Sequence, residues 1–406
     1  MEFIVPENIL SIISILNKNG FQAHLAGGCV RDMIIGRVPG DWDITTNAST
    51  DEVKSLFQKT WDTGLRHGTV TVSYNGTKAE VTTWRKEEGY SDHRRPDRVY
   101  FAQSLTDDLS RRDFTINAMA YHPDEGLIDP FGGLNDINLR LIRSVGDPIK
   151  RFSEDALRML RAVRFSAQLG FDIEINTFNA IKELWADLSY ISMERIQAET
   201  NKILESSEPH KLSLIWETGL NKTIFPEISI SPCWIDLAKK FSCHKNRKAV
   251  SLAMLFITSV KDDAENMARL LLNRLRYDKA TIRHVADLIN CALDFGPFTP
   301  RNLRKMATEY GEKTAYDAVL MKEALKGYIN FHENQNGLTN QSYRNTELSC
   351  LKLNISGKDL KDAGLCHGSE IKNMLSVLSL IVYEKPCLND AALLMELATK
   401  IARISF

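Results

Sequence analysis

The sequence predicts an α+β protein, with a mixed β-sheet and helices in an N-terminal head and an all-helical remainder. β-rich segments are confined to residues 21 to about 145. Two of these segments flank Asn75-Gly76, a dipeptide typical of a tight hairpin turn. From about residue 150, apolar residues recur three and four positions apart, as they do on amphipathic helices.

The elements of the head follow from local patterns. Apolar residues at 9, 10, 12, 13, 15 and 16 predict a helix over 8–19 that Gly20 ends. Further helices are predicted near 28–35 and 50–58. The predicted strands lie in the segments FQAHLAGG, DWDIT, GTVTVSYNGTKAEVTTW, VYFAQSL and GLIDPFGG.

Beyond the head, three segments have the helical period: SEDALRMLRAVRFSAQLG, SMERIQAETNKILES and HKLSLIWETGL. Polar or Pro-rich joints near 206–210, 295–300 and 331–345 separate the helical packets. These joints predict four parts, namely a head (1–145), a neck (146–210), a body (211–335) and a tail (336–406).

Composition restricts the class of protein. Of the 406 residues, 43% are hydrophobic and 25% charged, as in soluble globular proteins, and the longest apolar runs are too short to span a membrane. A net charge of −1 excludes a uniformly basic nucleic-acid binder, so charge has to be considered locally. Seven scattered cysteines without a C-x-x-C pair favour reduced thiols and a cytoplasmic location.

Two aspartates supply the first candidate for catalysis. Asp41 and Asp43 are two residues apart, so on a strand they face the same side and can share a divalent cation. Mg²⁺ held in this way suits phosphoryl transfer, in which it activates a hydroxyl and stabilises leaving pyrophosphate. The alternatives are a solvated turn and a metal site for a nucleotide sugar.

The dipeptide Gly27-Gly28 begins a short predicted helix that lies before Asp41 in the chain. The two glycines allow backbone N–H groups to approach a phosphate, with Arg31 as a counter-charge. The alternative is a structural turn in which Arg31 and Asp32 form a surface ion pair. The pattern is neither a Walker loop nor G-x-G-x-x-G.

Together, GG-x-x-RD and GDWDI resemble the class II nucleotidyltransferases of the polymerase β superfamily, which include bacterial tRNA nucleotidyltransferases and poly(A) polymerases. The similarity is dense over 21–205 and faint over 230–345, and LKLNISGKDLKDAGL with GSEIKNML in the tail is similar to the compact bacterial CCA-adding type. Further matches are HGT at 67–69, EVTT at 80–83, Y-x-D-x-RRP at 90–96, RRDFT-x-NA at 111–118, IDPFGG at 128–133, RF-x-EDALR-x-LRAVRF at 151–165 and S-x-ERI-x-x-E at 192–199.

The resemblance implies a protein template for the incoming base. Asp155 and Arg158 would offer an acceptor and paired donors to the base, and Glu154 would orient Arg158. By spacing alone, Glu154 lies four residues and Asp155 three residues from Arg158 near one helical face, a pattern that in isolation is more typical of a surface salt-bridge ladder.

Other positions are implied to contact the nucleotide. Gly28, Arg31, Arg112, Arg161 and Arg164 would bind it, and Asp113 with Asn117 would order its ribose side. Residues 140–170 hold seven Lys or Arg against three Asp or Glu, an excess that suits a triphosphate and an RNA backbone.

The sequence leaves the roles of Glu80 and His67 open and indicates a role for one charged segment only by resemblance. Glu80 is either a third carboxylate beside the metal or a partner of Arg85 or Arg31 in a structural ion pair. His67 has no assigned catalytic role. The charged segment 85–100 resembles a mobile lid, which in this family accompanies adenosine addition.

The predicted function is the addition of CCA to the tRNA 3′ end from CTP and ATP, with Mg²⁺ on Asp41 and Asp43 and the helical body and tail contacting the tRNA. Partner-dependent A-only or CC-only addition, and poly(A) synthesis, are the nearest alternatives. A non-catalytic tRNA-binding module and a nucleotide-sugar transferase are alternatives from other classes. No membrane partner is predicted, and the sequence does not determine the oligomeric state.

Overall fold

The structure is a computed structural model that describes residues 3–64, 68–89, 98–102, 104–260, 262–293, 299–326 and 352–404. The chain divides into two compact units, Met1–Glu227 and Ile228–Phe406. His67, residues 90–97 of the predicted lid and the predicted joint at 331–345 lie outside the described residues.

A seven-stranded mixed sheet forms the centre of the first unit, in the order β3-β4-β5-β2-β1-β8-β9. Strands β2 and β5 pair in parallel, and the neighbouring pairs are antiparallel. Strands β6 and β7 form an antiparallel ribbon, and β10 pairs in parallel with β11. The bounds are β1 Ala23–Ala26, β2 Asp43–Thr46, β3 Thr60–Gly64, β4 Thr69–Tyr74, β5 Thr77–Thr83, β6 Arg85–Glu88, β7 Arg98–Phe101, β8 Ala120–His122, β9 Gly126–Ile128, β10 Leu141–Ile142 and β11 Asp172–Ile173.

The predicted hairpin is confirmed as the turn between β4 and β5. Asn75 and Gly76 have φ values of 46° and 83°, the left-handed pair that a type I′ turn requires. The turn sets a register in which Tyr74 faces Thr77, and apolar and polar residues then alternate along both strands. The apolar face, with Val70 and Val81 buried, packs under helices, which leaves the other face free for polar side chains.

Helices surround this sheet, and the three predicted near 8–19, 28–35 and 50–58 are found as α1, α2 and α3. Helices α1 and α3 contact β4 and β5. A capping box between Ser49 and Glu52 begins α3. The bounds are α1 Glu7–Lys18, α2 Gly28–Ile34, α3 Thr50–Leu56, α4 Leu105–Ser110, α5 Gly133–Leu139, α6 Pro148–Glu154, α7 Leu157–Leu169, α8 Ile175–Leu184, α9 Met193–Leu204, α10 Leu214–Thr218 and α11 Asn221–Ile224.

The continuous helix predicted across 153–170 is wrong, because the chain leaves the helical conformation between α6 and α7. Asp155 lies at this break with an extended backbone, φ −141° and ψ 103°. Its carboxylate accepts a hydrogen bond from the backbone N–H of Leu157 at 3.1 Å, as short polar side chains do at helix starts. Glu154 and Arg158 nevertheless remain close enough to pair.

All regular secondary structure in the described residues of the second unit is helical. Its C-terminal part has a small core of its own, in which Leu360, Leu378 and Leu394 of three successive helices are fully buried. In the part of the chain that the structure describes, no helix has the length and apolar character to cross a membrane. The bounds are α12 Pro232–Lys240, α13 Arg247–Ser259, α14 Ala264–Arg274, α15 Lys279–Leu293, α16 Pro300–Tyr310, α17 Glu312–Leu325, α18 Gly357–Asp362, α19 Ser369–Glu384 and α20 Ala391–Ile404.

Candidate active site

A cavity of about 520 Å³ in the first unit collects nearly all of the predicted site residues. Asp43 lines it, together with each of the predicted nucleotide-binding residues. Asp41 lines a neighbouring depression, and Glu80 lines both. The cavity walls carry seven arginines and four carboxylates, a positive excess that suits a polyanionic ligand. The lining residues are Gly28, Arg31, Asp43, Ile44, Thr69, Glu80, Thr82, Arg85, Arg111, Arg112, Asp113, Asn117, Asp155, Arg158, Arg161, Arg164 and Phe165.

The sheet places two carboxylates side by side at one wall. Asp43 begins β2 and faces Glu80 of β5 in the parallel register. Asp41 lies just before the strand and is exposed. Burial raises the pKa of Asp43 to about 6, Arg112 opposes this increase, and the negative charges of Glu80 and Asp41 add to it. The raised pKa therefore reflects burial first and the neighbouring negative charges second, although arginines are in excess over the cavity as a whole.

These carboxylates fit a divalent cation in chemical type. The described residues contain no group of three or more His, Cys, Asp or Glu side chains arranged to hold a metal ion. Mg²⁺ commonly binds to only one or two protein carboxylates, because the ion keeps several waters and takes its other ligands from substrate phosphates. Asp43 and Asp41 would hold the ion, with Glu80 adjacent.

The turn before α2 is shaped by a glycine that the chain cannot replace without strain. Gly27 has φ +82°, and a Cβ atom built there would lie 2.3 Å from Nη1 of Arg112. The missing side chain is therefore what lets Arg112 reach the cavity wall beside Asp43. Gly28 follows as the first residue of α2 and lines the cavity.

Arg31 does more than pair with its neighbour on α2. Its Nη2 donates to Asp32 at 2.8 Å, and its Nη1 donates to the Asn117 side chain at 2.6 Å. Asn117 in turn donates to Asp113 at 3.1 Å. A network from α2 to the short 3₁₀ helix Thr115–Asn117 therefore positions Arg31, so the interpretation as a surface ion pair alone is insufficient.

Asp108 is a structural residue of the site that the sequence analysis missed. Its side chain is fully buried on α4, where it pairs with Arg111 at 2.6 Å and Arg112 at 3.6 Å and accepts from Thr45 at 3.0 Å. Burial acts to raise its pKa, but the two guanidinium charges outweigh this and lower it. The spacing of Asp108 from the two arginines, three and four residues on a helix, was a signal that could have identified it.

Helix α7 presents a row of arginines to the cavity, each held by a carboxylate. Arg158 pairs with Glu154 at 2.7 Å, Arg161 donates through Nε to Asp113 at 2.8 Å, and Arg164 pairs with Glu199 at 2.6 Å. The guanidinium groups of Arg31, Arg161 and Arg164 also lie 3.9–5.7 Å from the ring centroid of Phe165. The row is therefore fixed in position before any ligand arrives.

Asp113 is the buried anchor of this row. Burial would raise its pKa, but the Arg161 charge and the Asn117 hydrogen bond outweigh that effect and hold the pKa well below its usual range. Asp113 therefore stays ionised and keeps its partner at the cavity wall.

Arg158 has further contacts that fix its plane. Nη1 donates to the carbonyl of Arg151 at 3.0 Å as well as to Glu154, and Nη2 donates to the carbonyl of Arg111 at 3.2 Å. These bonds use three of the five N–H donors of the guanidinium, so donors remain for a ligand.

Asp155 pairs with Arg195 and not with Arg158, although a continuous helix would have put Asp155 and Arg158 on one face. Its Oδ2 accepts from Arg195 of α9 at 3.1 Å. Arg195 and Glu199 are positioning residues to which the sequence analysis gave no role. Both lie in the motif S-x-ERI-x-x-E, which was the available signal.

Comparisons with protein families agree with this geometry. A family model described as "Poly A polymerase head domain" matches residues 23–143. A second, described as "Probable RNA and SrmB- binding site of polymerase A", matches residues 170–230. The first match includes the lining residues from Gly28 to Asn117, and the arginine row of α7 lies between the two matches.

Individual relatives extend the similarity to the rest of the chain. The CCA-adding enzyme of Geobacillus sp. (strain WCH70) is 52% identical over 53% of this chain, and the chain spans only 53% of that relative. The CCA-adding enzyme of Ligilactobacillus salivarius (strain UCC118) is 35% identical over 98% of both chains. Among solved structures, the Bacillus stearothermophilus CCA-adding enzyme in complex with CTP has a TM-score of 0.81 and 30% identity, covering 98% of this chain and 100% of that chain.

Proposed function

The chain belongs to the family of CCA-adding enzymes, and on that premise we propose that it adds CCA to the 3′ end of tRNA from CTP and ATP without a nucleic-acid template. The observation that carries the proposal is that Asp43, Glu80 and the arginine row of α7 line the same cavity. One wall supplies carboxylates for a cation, and the other supplies donors for a triphosphate and a base.

The reaction transfers a nucleotidyl group. The terminal ribose hydroxyl of the tRNA attacks the α-phosphorus of the nucleotide, a new P–O bond forms, and pyrophosphate leaves. Bound Mg²⁺ on Asp41 and Asp43 would neutralise the developing charge and favour the ionised hydroxyl. Glu80 lies beside Asp43 on β5 and would accept the proton of that hydroxyl.

The arginines and Asn117 have the task of holding the nucleotide. Arg31, Arg112, Arg161 and Arg164 surround the cavity, where their charges offset the triphosphate. Their bonds to buried carboxylates and to Asn117 hold them in place, so little side-chain entropy is lost when the nucleotide binds.

Base selection is assigned to Asp155 and Arg158. Glu154 and two backbone carbonyls fix Arg158, and Arg195 fixes Asp155. A rigid donor and a rigid acceptor that line the same cavity would reject bases whose edges leave these groups unpaired. Because these side chains belong to the protein, no template strand is needed.

The test is incubation of purified protein with Mg²⁺, CTP and ATP, singly and together, on tRNAs that end before CCA, after C and after CC. Sequencing of the products is expected to show complete CCA on all three. Addition of A only to the CC-ended tRNA would indicate an A-adding enzyme, addition of C alone a CC-adding enzyme, and long A tails a poly(A) polymerase.

The control for this test is Asp43→Asn, which keeps the size of the side chain and removes its charge. We expect at least a roughly 10²-fold loss of kcat, because the charge that holds the cation is lost. Retention of full activity by this variant would contradict the assignment of Asp43 to the metal.

A further inference from the structure

An exposed indole lies in register with the catalytic carboxylates. Trp61 of β3 faces Thr71 of β4, Thr71 faces Glu80 of β5, and Glu80 faces Asp43 of β2. Residues directly opposite one another on paired strands point to the same face of the sheet. These four side chains therefore form a row across the open face, which we call the cross-strand row.

The cross-strand row is long enough to follow a strand of RNA. Three strand spacings of about 4.8 Å separate Trp61 from Asp43, which is roughly 14 Å. Near its Trp61 end lies a depression of about 400 Å³, lined by Asp41, Trp42, Trp61, Lys78 and Glu80 among others. Glu80 lines both spaces, so the depression adjoins the nucleotide cavity, and no α7 arginine lines the depression.

Trp61 of β3 remains partly exposed among the described residues. The residue is 46% exposed, although an indole of this size gains from burial. Lys78 of β5 places its Nζ 5.4 Å from the ring centroid of Trp61. An exposed aromatic face beside a cation is the combination that binds single-stranded nucleic acid, since it offers a surface for a base and a charge for a phosphate.

We propose that the cross-strand row receives the 3′ end of the acceptor RNA, with Trp61 stacking on a base among the last few nucleotides and Lys78 contacting a phosphate. This inference rests on the proposed function and specifies where its RNA substrate lies. Trp61 is a positioning residue, because it aligns the terminal hydroxyl with Asp43 without touching the reacting atoms. A stacked base suits this role because stacking tolerates either C or another base at the growing end.

The first experiment compares Trp61→Ala with Trp61→Phe in the full-length protein, using tRNA acceptors with a normal base or an abasic site at each of the last three nucleotides. For intact tRNA, Trp61→Ala is expected to raise KM by about tenfold, because stacking on one base contributes that much or more. KM for CTP stays within about twofold of wild type, and Trp61→Phe retains most of the affinity, since a phenyl ring also stacks.

The abasic acceptors separate stacking from a structural effect. At the contacted nucleotide, the abasic site weakens wild type but leaves Trp61→Ala unchanged. An equal effect of Trp61→Ala on intact and abasic tRNA, or an increase in KM for CTP instead of tRNA, would overturn the inference. Absence of nucleotide incorporation by wild type would instead refute the proposed function, so the two failures are distinguishable.

Lys78→Gln provides an independent measurement. Loss of one phosphate contact is expected to reduce the slope of log Kd for tRNA against log salt by about 0.7. An unchanged slope would remove Lys78 from the RNA contact.

Discussion

The surroundings of Asp43 disfavour the ionised form of its carboxyl group. It is partly buried, and Glu80 and Asp41 add negative charge close by, so its pKa rises to about 6 while Arg112 compensates only in part. The opposite holds at Asp113, whose pKa is lowered because Arg161 and Asn117 outweigh burial. The surroundings of Asp113 therefore favour its ionised carboxylate, whereas those of Asp43 disfavour it.

The raised pKa predicts how metal binding depends on pH. A carboxyl with a pKa near 6 is mostly ionised at pH 7 and mostly protonated at pH 5. The affinity for Mg²⁺ should therefore weaken by about tenfold when the pH is lowered from 7 to 5. Titration of Mg²⁺ into the protein at both pH values, by calorimetry, measures this. The loss should be absent in Asp43→Asn, and a pH-independent affinity in wild type would contradict the assignment.

The same shift predicts a gain in stability when the charge is removed. A folded-state pKa above the unfolded value means that the folded protein binds the proton more tightly, so ionised Asp43 lowers the free energy of unfolding above pH 6 and has no effect below about pH 4. Without metal, Asp43→Asn should therefore raise this free energy by about 1–3 kcal/mol at pH 8.

Thermal unfolding of both proteins in a chelating buffer at pH 8 and pH 4 measures this effect. A difference that persists unchanged at pH 4 would show that the Asn side chain acts by another route.

Glu154 offers a prediction for base selection. Its carboxylate accepts from both Arg151 and Arg158 at 2.7 Å, so Glu154→Gln removes the charge that fixes the Arg158 guanidinium. We expect kcat/KM for CTP to fall by about tenfold, as for loss of a charged hydrogen bond, and discrimination against UTP and GTP to decrease with it. Glu183→Gln on the exposed side of α8 is the matched control. Unchanged discrimination would mean that Glu154 does not orient the template.

At the scale of elements, short segments bring distant side chains to one cavity. The turn before α2 admits Arg112, and the break between α6 and α7 turns Asp155 away from Arg158 and towards Arg195. A continuous helix would have kept Asp155 and Arg158 on one face. The irregular backbone at these two points therefore helps to determine which donors and acceptors line the cavity.

The turn before α2 provides a test with a matched control. Gly27 and Gly36 both have positive φ, +82° and +74°, but an added Cβ lies 2.3 Å from Arg112 at Gly27 and has nothing within 4 Å at Gly36. Alanine at either position should lower stability by about 1–2 kcal/mol through backbone strain. Only Gly27→Ala should also raise KM for CTP, because it displaces Arg112. Kinetics of both variants decide this, and equal KM values would contradict the role of the turn.

At the scale of the whole molecule, the chain consists of two compact units, and the described residues of the candidate site belong to the first. The predicted division into head, neck, body and tail is finer than this, and it remains a prediction. Each unit has buried apolar residues of its own.

This division predicts the behaviour of a fragment. Residues 1–227 alone should fold and bind CTP within about threefold of the full chain, because the nucleotide cavity is formed within them. The fragment should bind tRNA less tightly if the tail contributes to RNA binding. Calorimetry with CTP and filter binding with tRNA on fragment and full chain measure both, and loss of CTP binding by a folded fragment would show that the second unit is needed for the nucleotide site.

Local patterns in the sequence determined the hairpin at Asn75-Gly76 and the first three helices, whereas the resemblance to a known family identified most of the predicted residues that line the cavity. Turn preferences and periodicity depend on residues close together in the chain, so a single sequence reveals them. Long-range packing alone decided which partners meet. Arg195 donates to Asp155, which lies 40 residues earlier in the chain, and Thr45 donates to Asp108, which lies 63 residues later. The register of four strands aligns Trp61 with Asp43. These pairings depend on how separate elements fold against one another, and no local periodicity encodes them.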